Sequence, residues 1–116
     1  MKADLKELTD LSKQGLIMAH NAGPDPKTVL RLFKTKPRIW TAELLEHNIG
    51  GVTYYSIPTI HAQERNGAHI RDSDLKKTIS ILGKHFFFCD AIKIQAGQEF
   101  GGRFKNRPPM IFLWWD

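Results

Sequence analysis

Five cations, Lys27, Arg31, Lys34, Lys36 and Arg38, fall within the thirteen residues from Pro26 to Arg38, a stretch without an acid, and together they equal the formal net charge of +5. Cations this dense attract polyanions, because neutralising phosphates releases condensed counterions and needs no reading of bases. A second basic stretch holds Lys93, Arg103, Lys105 and Arg107 against Glu99 alone. The rest of the chain is net acidic, so the positive charge is concentrated. A solvated basic surface with no partner is the bland alternative.

Other chemistries find less support in the residue spacing. His47, His61, His69, His85 and Cys89 are separated by 14, 8, 16 and 4 positions. Only the last separation matches a zinc-ligand pair, so Cys89 is read as a small buried residue. A single cysteine excludes an internal disulfide and a cysteine-rich zinc knuckle. Asp90, Lys93, Glu99 and Lys105 are the residue types of a metal-assisted nuclease, but one hairpin rarely converges such groups, and they are read as facing solvent. No Gly-x-x-x-x-Gly-Lys-Ser/Thr loop is present, so helicase activity would belong to a partner chain. The expectation is a protein with no catalytic residues, no metal and no cofactor.

These residues need elements to position them. With 116 residues, 41% of them hydrophobic and 25% charged, the chain suits one folded domain. No run approaches the roughly 18 apolar residues of a membrane span, and Met1-Lys2-Ala3-Asp4 does not open a signal segment, so a soluble, cytoplasmic protein is expected. Leu5, Leu8, Leu11 and Leu16 predict an amphipathic helix from Lys2 to about His20, stopped by Asn21-Ala22-Gly23-Pro24. Asp25-Pro26 predicts the start of a second helix, with Val29, Leu30, Leu32 and Phe33 inward, ending before Pro37. Thr41 is read as the cap of a short helix, Ala42 to His47, with Leu44 and Leu45 inward and a stop and turn at Asn48 to Gly51.

Val52 to Ile60 is β-rich but holds Pro58, which predicts an edge strand or extended loop. His61 to Arg71 is polar, with an Asn66-Gly67 turn. Asp72 or Ser73 is expected to cap a helix from Asp74 to His85, with Leu75, Ile79, Leu82 and Phe86 inward and Lys76, Lys77, Ser80 and Lys84 outward. Two strands follow, in Phe87 to Gln95 and Pro109 to Trp115, around a glycine-bearing basic tip with Gly97, Gly101 and Gly102. Trp40 is expected in the core, and the neighbours Trp114 and Trp115, like Tyr54 and Tyr55, must split between two faces.

This order, with Thr41-Ala42-Glu43-Leu44-Leu45-Glu46, Ser73-Asp74-Leu75-Lys76-Lys77 and Leu82-Gly83-Lys84-His85-Phe86, resembles winged helix-turn-helix domains at the C-terminal end of phage and plasmid replicative helicases and primases. The segment from Ile49 to Arg71 departs from their usual tight turn. The resemblance implies an α+β fold: a winged-helix core over residues 25–116, an extra N-terminal helix within 1–21, and a C-terminal β-hairpin. It makes Asp74 to His85 a recognition helix in the DNA major groove and Ala96 to Arg107 the wing. Double-stranded DNA would then meet Lys76, Lys77, Ser80 and Lys84, the wing residues Arg103, Lys105 and Arg107, and the phosphate-holding Lys27, Arg31 and Lys34. The expected role is replication or transcriptional control in a phage, virus or plasmid, alongside a replication enzyme. Two alternatives stay open: a module that docks on a host or viral enzyme through Tyr54, Tyr55 or a tryptophan, and a small RNA-binding protein. The N-terminal helix suits either a homodimer contact or a cap on its own domain.

Overall fold

The computed structural model describes residues 1–95 and 109–116. After a two-residue strand, β1 (Lys2–Ala3), Asp4 caps helix α1 (Leu5–Lys13) by accepting a hydrogen bond at Oδ1 from the Glu7 amide, 3.0 Å. The helix ends well before His20. Gly15 takes φ +70°, and the Gly15 and Leu16 amides donate back to Ser12 and Leu11, closing the helix in a Schellman turn that a side chain with a Cβ would strain. The chain then runs extended as β2 (Ile17–Met18). Helix α2 (Pro26–Thr35) starts where Asp25-Pro26 predicts, with the Thr28 amide donating to Asp25 Oδ1 at 2.8 Å and Val29, Leu32 and Phe33 buried.

The short helix expected over Ala42 to His47 is instead part of a ten-residue strand, β3 (Trp40–Ile49). Ala, Glu and Leu favour helix by only tenths of a kcal/mol per residue, and pairing on both sides of this segment overrides that preference. Trp40, Ala42 and Leu44 alternate into the core, which leaves Leu45 exposed rather than inward. Gly50 and Gly51, both at positive φ, make the two-residue connection to β4 (Val52–Gln63), as a tight hairpin turn requires.

Strand β4 is interior, not an edge. It pairs with β3 along its length, and its other side meets β2 at Tyr55 and Ser56 and then β6 (Met110–Trp114) from Thr59 to Gln63. Pro58 is accommodated because the β3 register jumps from Glu43↔Thr59 to Leu45↔Ser56, so Ile57 and Pro58 together face Leu44 in a bulge. On the other side Pro58 lies between the last β2 partner and the first β6 partner, where no ladder amide is needed. The sheet order is β1-β3-β4-β6-β5, with β2 beside β4 and β5 (Ala91–Gln95) at one edge.

The Asn66-Gly67 turn forms as predicted, both residues at positive φ, closed by paired hydrogen bonds between Arg65 and Ala68. Helix α3 (Asp72–Leu82) begins two residues before the expected Asp74, and its N-cap is Arg71 rather than Asp72 or Ser73; the Arg71 amide donates to Asp74 Oδ2 at 2.8 Å. Gly83 separates it from a one-turn helix, α4 (Lys84–Phe87), so the helix expected to reach His85 is two. Trp40, Ala42, Ile60, Ala62, Ile111 and Leu113 project from one sheet face into a single core with Leu8, Val29, Leu32, Phe33 and Leu82 from the helices. Each large side chain buried there contributes about 1.5–3 kcal/mol. Phe33 and Trp40 stack at 5.8 Å. Trp114 is exposed and Trp115 fully buried, the expected division, and the Trp115 indole donates to the His85 carbonyl at 2.8 Å. The architecture is a mixed α+β fold, an antiparallel-dominated sheet with a helical layer on one face.

Candidate nucleic-acid interface

Helices α2 and α3 lie side by side and antiparallel, as three contacts show. Lys36, just past the end of α2, donates from Nζ to Asp74 Oδ2 near the start of α3 (2.8 Å) and to the His69 carbonyl (2.5 Å). Arg31 donates to the Ile81 carbonyl (3.4 Å), and His85 Nδ1 donates to the Ala22 carbonyl (2.9 Å) before α2 begins. With the apolar stripe of α2 in the core, Lys27, Arg31 and Lys34, at offsets of four and seven, form its exposed stripe. On α3 and the start of α4, Lys76, Lys77, Ser80 and Lys84 are exposed, as expected. Lys76 is partly neutralised by Asp72 one turn away, 3.3 Å. Lys27, Lys34, Lys77 and Lys84 make no ion pair among the described residues.

The two expected basic segments therefore fare differently. The Pro26 to Arg38 run divides: Lys27, Arg31 and Lys34 face out from α2, Lys36 is spent on Asp74, and Arg38 lines a cleft next to the Asn66-Gly67 turn. The expected wing from Ala96 to Arg107, with Arg103, Lys105 and Arg107, lies outside the described residues; of the second basic stretch only Lys93 is described, exposed on β5.

No metal-binding cluster of three or more His, Cys, Asp or Glu occurs among the described residues. The His85 ring is held by Ala22, His69 Nδ1 meets Glu64 Oε2 at 2.9 Å, and Cys89 donates from Sγ to the His85 carbonyl at 3.5 Å. Burial, with Asp90 beside it, pushes the Cys89 thiol up to about 11, which keeps it protonated near neutral pH. Asp90 accepts a hydrogen bond from the Asp116 amide, while Glu99 and Lys105 of the same imagined nuclease site lie outside the described residues. Tyr54 and Tyr55 are both half-buried.

One constellation has no counterpart in the sequence-based expectations. The buried Ser56 hydroxyl sits 2.8 Å from both His20 Nδ1 and His47 Nε2. A hydroxyl has one proton, so at most one ring accepts from it and the other must donate to it. These residues are 36 and 9 positions apart, and only the strand register that aligns His47 with Tyr54 and Met18 with Ser56 gathers them. No protein-family model, curated protein or solved structure matches the chain. Among the described residues no helix is long and apolar enough to cross a membrane.

Proposed function

We propose that the protein binds double-stranded DNA through the outer surface of the α2–α3 pair, with Lys27, Arg31 and Lys34 on phosphates and Lys77, Ser80 and Lys84 at or beside the groove. One observation carries this: cations from two separate segments lie on adjacent antiparallel helices, and the α2 stripe contains no acid. In its finer, winged-helix form, α3 is the recognition helix and residues 96–107 between β5 and β6 are the wing. The succession α2, α3, β5, β6 supports that form; the strand β3, standing where an entry helix was expected, does not, and the phosphate contacts do not need that helix. A role in phage, viral or plasmid replication or transcriptional control, in a cytoplasmic setting, belongs to the same proposal.

The test is fluorescence anisotropy with a labelled duplex across a salt series. Five contacting cations at about 0.9 each give a slope of log affinity against log salt near −4.5, and an affinity loss of about 500-fold between 50 and 200 mM. Lys77→Ala with Lys84→Ala should flatten the slope by about two. An unchanged slope would remove α3 from the interface. A preference for RNA would support the RNA-binding alternative, and no nucleic-acid binding at low salt would favour a protein-docking module.

A further inference from the structure

We propose that the cleft between the start of α1, the α2–β3 connection and the Asn66-Gly67 turn is a nucleotide site, with Arg38 and Arg65 holding the phosphate. The cleft has a volume of about 430 Å³ and is lined by Asp4, Pro37, Arg38, Trp40, Arg65 and Asn66. A hollow of about 280 Å³ against Leu5 and Lys6 also touches Asp4 and Pro37, so the two adjoin. The cleft alone is within the range of small-molecule sites, which begins at about 300 Å³. None of these residues is drawn from the helix surface proposed to bind duplex DNA, and the site does not rest on that proposal.

The charges fit a phosphate. Arg38, Arg65 and Lys6 are all exposed and face a single carboxylate, Asp4, with no ion pair among the four. Arg65 is already oriented, because one Nη2 donor is fixed on the Thr41 hydroxyl at 2.8 Å. A guanidinium has five N–H donors in a rigid plane, so those not committed to Thr41 remain for a bidentate contact to phosphate oxygens. Arg38 makes no hydrogen bond or ion pair among the described residues, so its whole fork is available.

The remaining lining argues for a nucleotide rather than a bare anion. Asp4, which lines the cleft, uses Oδ1 to cap α1, and this leaves Oδ2 free to accept from a ligand. An ionised carboxylate accepts only, so whatever lies against it must bring O–H or N–H groups, which a sugar or a base has and a phosphate ion lacks. Exposed Pro37 gives the cleft an apolar wall, and beneath it Trp40 is buried in its stack on Phe33. A phosphate on the two arginines and a hydroxyl-bearing sugar against Asp4 and Pro37 are together what the lining accommodates, which is the sugar-phosphate part of a nucleotide.

Isothermal titration of the full chain with AMP, adenosine and inorganic phosphate tests this. AMP should saturate in the submillimolar range, and the other two should bind at least about tenfold more weakly, since each satisfies only part of the lining. Arg38→Ala and Arg65→Gln should each weaken AMP by about tenfold or more, and Lys77→Ala with Lys84→Ala should leave it unchanged. Arg65→Gln also removes the Thr41 contact, so Arg38→Ala, which breaks no hydrogen bond or ion pair among the described residues, is the decisive variant. A 5′-phosphorylated hexanucleotide that binds tighter than AMP and than its 5′-hydroxyl form would identify a strand end as the source; equal affinity for AMP would identify free nucleotide. The proposal is overturned if AMP shows no saturation, if Arg38→Ala binds it unchanged, or if phosphate alone binds as tightly. Loss of AMP binding with duplex binding intact sinks this site alone, and the reverse outcome sinks only the duplex interface.

Discussion

Removing the Asp74 carboxylate should loosen the joint between α2 and α3. Its Oδ2 accepts both from Lys36 Nζ and from the Arg71 amide at the start of α3, each at 2.8 Å, and Asp74 is 7% exposed while Lys36 is 30% exposed. Loss of the backbone acceptor costs about 1 kcal/mol, as for other helix caps. Breaking a fully buried ion pair costs about 3–5 kcal/mol, but Lys36 keeps the His69 carbonyl and can reach water, which reduces that part to about 1–2 kcal/mol. Asp74→Ala should therefore lower stability by about 2–3 kcal/mol and Tm by roughly 6–15 °C for a domain of this size. Asp74→Asn, which keeps an acceptor for the Arg71 amide, should lose about half as much. Urea unfolding of both variants, of Lys36→Met and of the double variant Lys36→Met with Asp74→Asn measures this, with the m-value as the control for two-state behaviour. An Asp74→Ala loss below about 0.5 kcal/mol, or strict additivity in the double variant, would refute the reasoning.

Two further outcomes follow from the titratable groups. Burial lowers the His61 pKa from its ordinary value, with Glu43 opposing and Arg65 and Lys2 reinforcing, so the folded protein resists a proton that the unfolded chain accepts below about pH 6.5. Stability should fall as pH drops from about 6.5 to the folded-state pKa, with no further slope from this group below it; His61→Gln should flatten urea-unfolding stability between pH 7 and 5, and an identical slope would exclude His61 as the cause. Cys89, raised to about 11, should react with an alkylating reagent at pH 7.5 about a hundredfold more slowly in the folded protein than after unfolding, and equal rates would place the thiol in water.

Where local chemistry decides structure, the sequence is readable. Asp25-Pro26 starts α2, Asn66-Gly67 makes its turn, and Leu75, Ile79 and Leu82 mark the inner side of α3. Thr41 to His47 misleads because its helix-forming residues are a local preference, whereas the alternation of Trp40, Ala42 and Leu44 acquires its meaning only from partners on β1 and β4. Pro58 misleads in the same way: an edge position and a bulge at a change of partner both tolerate it, and only the register tells them apart. The cationic helix surface was half legible, since the outward positions of each helix follow from period but their adjacency does not. The nucleotide cleft was illegible, because residues 4–6, 37–40 and 65–66 meet only after the sheet has formed.

The last strand in the chain is not last in the sheet: β6 inserts between β4 and β5 and brings Trp115 against His85. During synthesis the hairpin of β3 and β4 can form early, but the backbone of β4 from Thr59 to Gln63 has no neighbour on one side until residues 110–114 clear the ribosome exit tunnel. An open ladder of that kind recruits other chains, so the nascent protein passes through an interval in which intermolecular pairing competes with completion. A variant lacking residues 110–114 would leave that ladder open permanently and should self-associate.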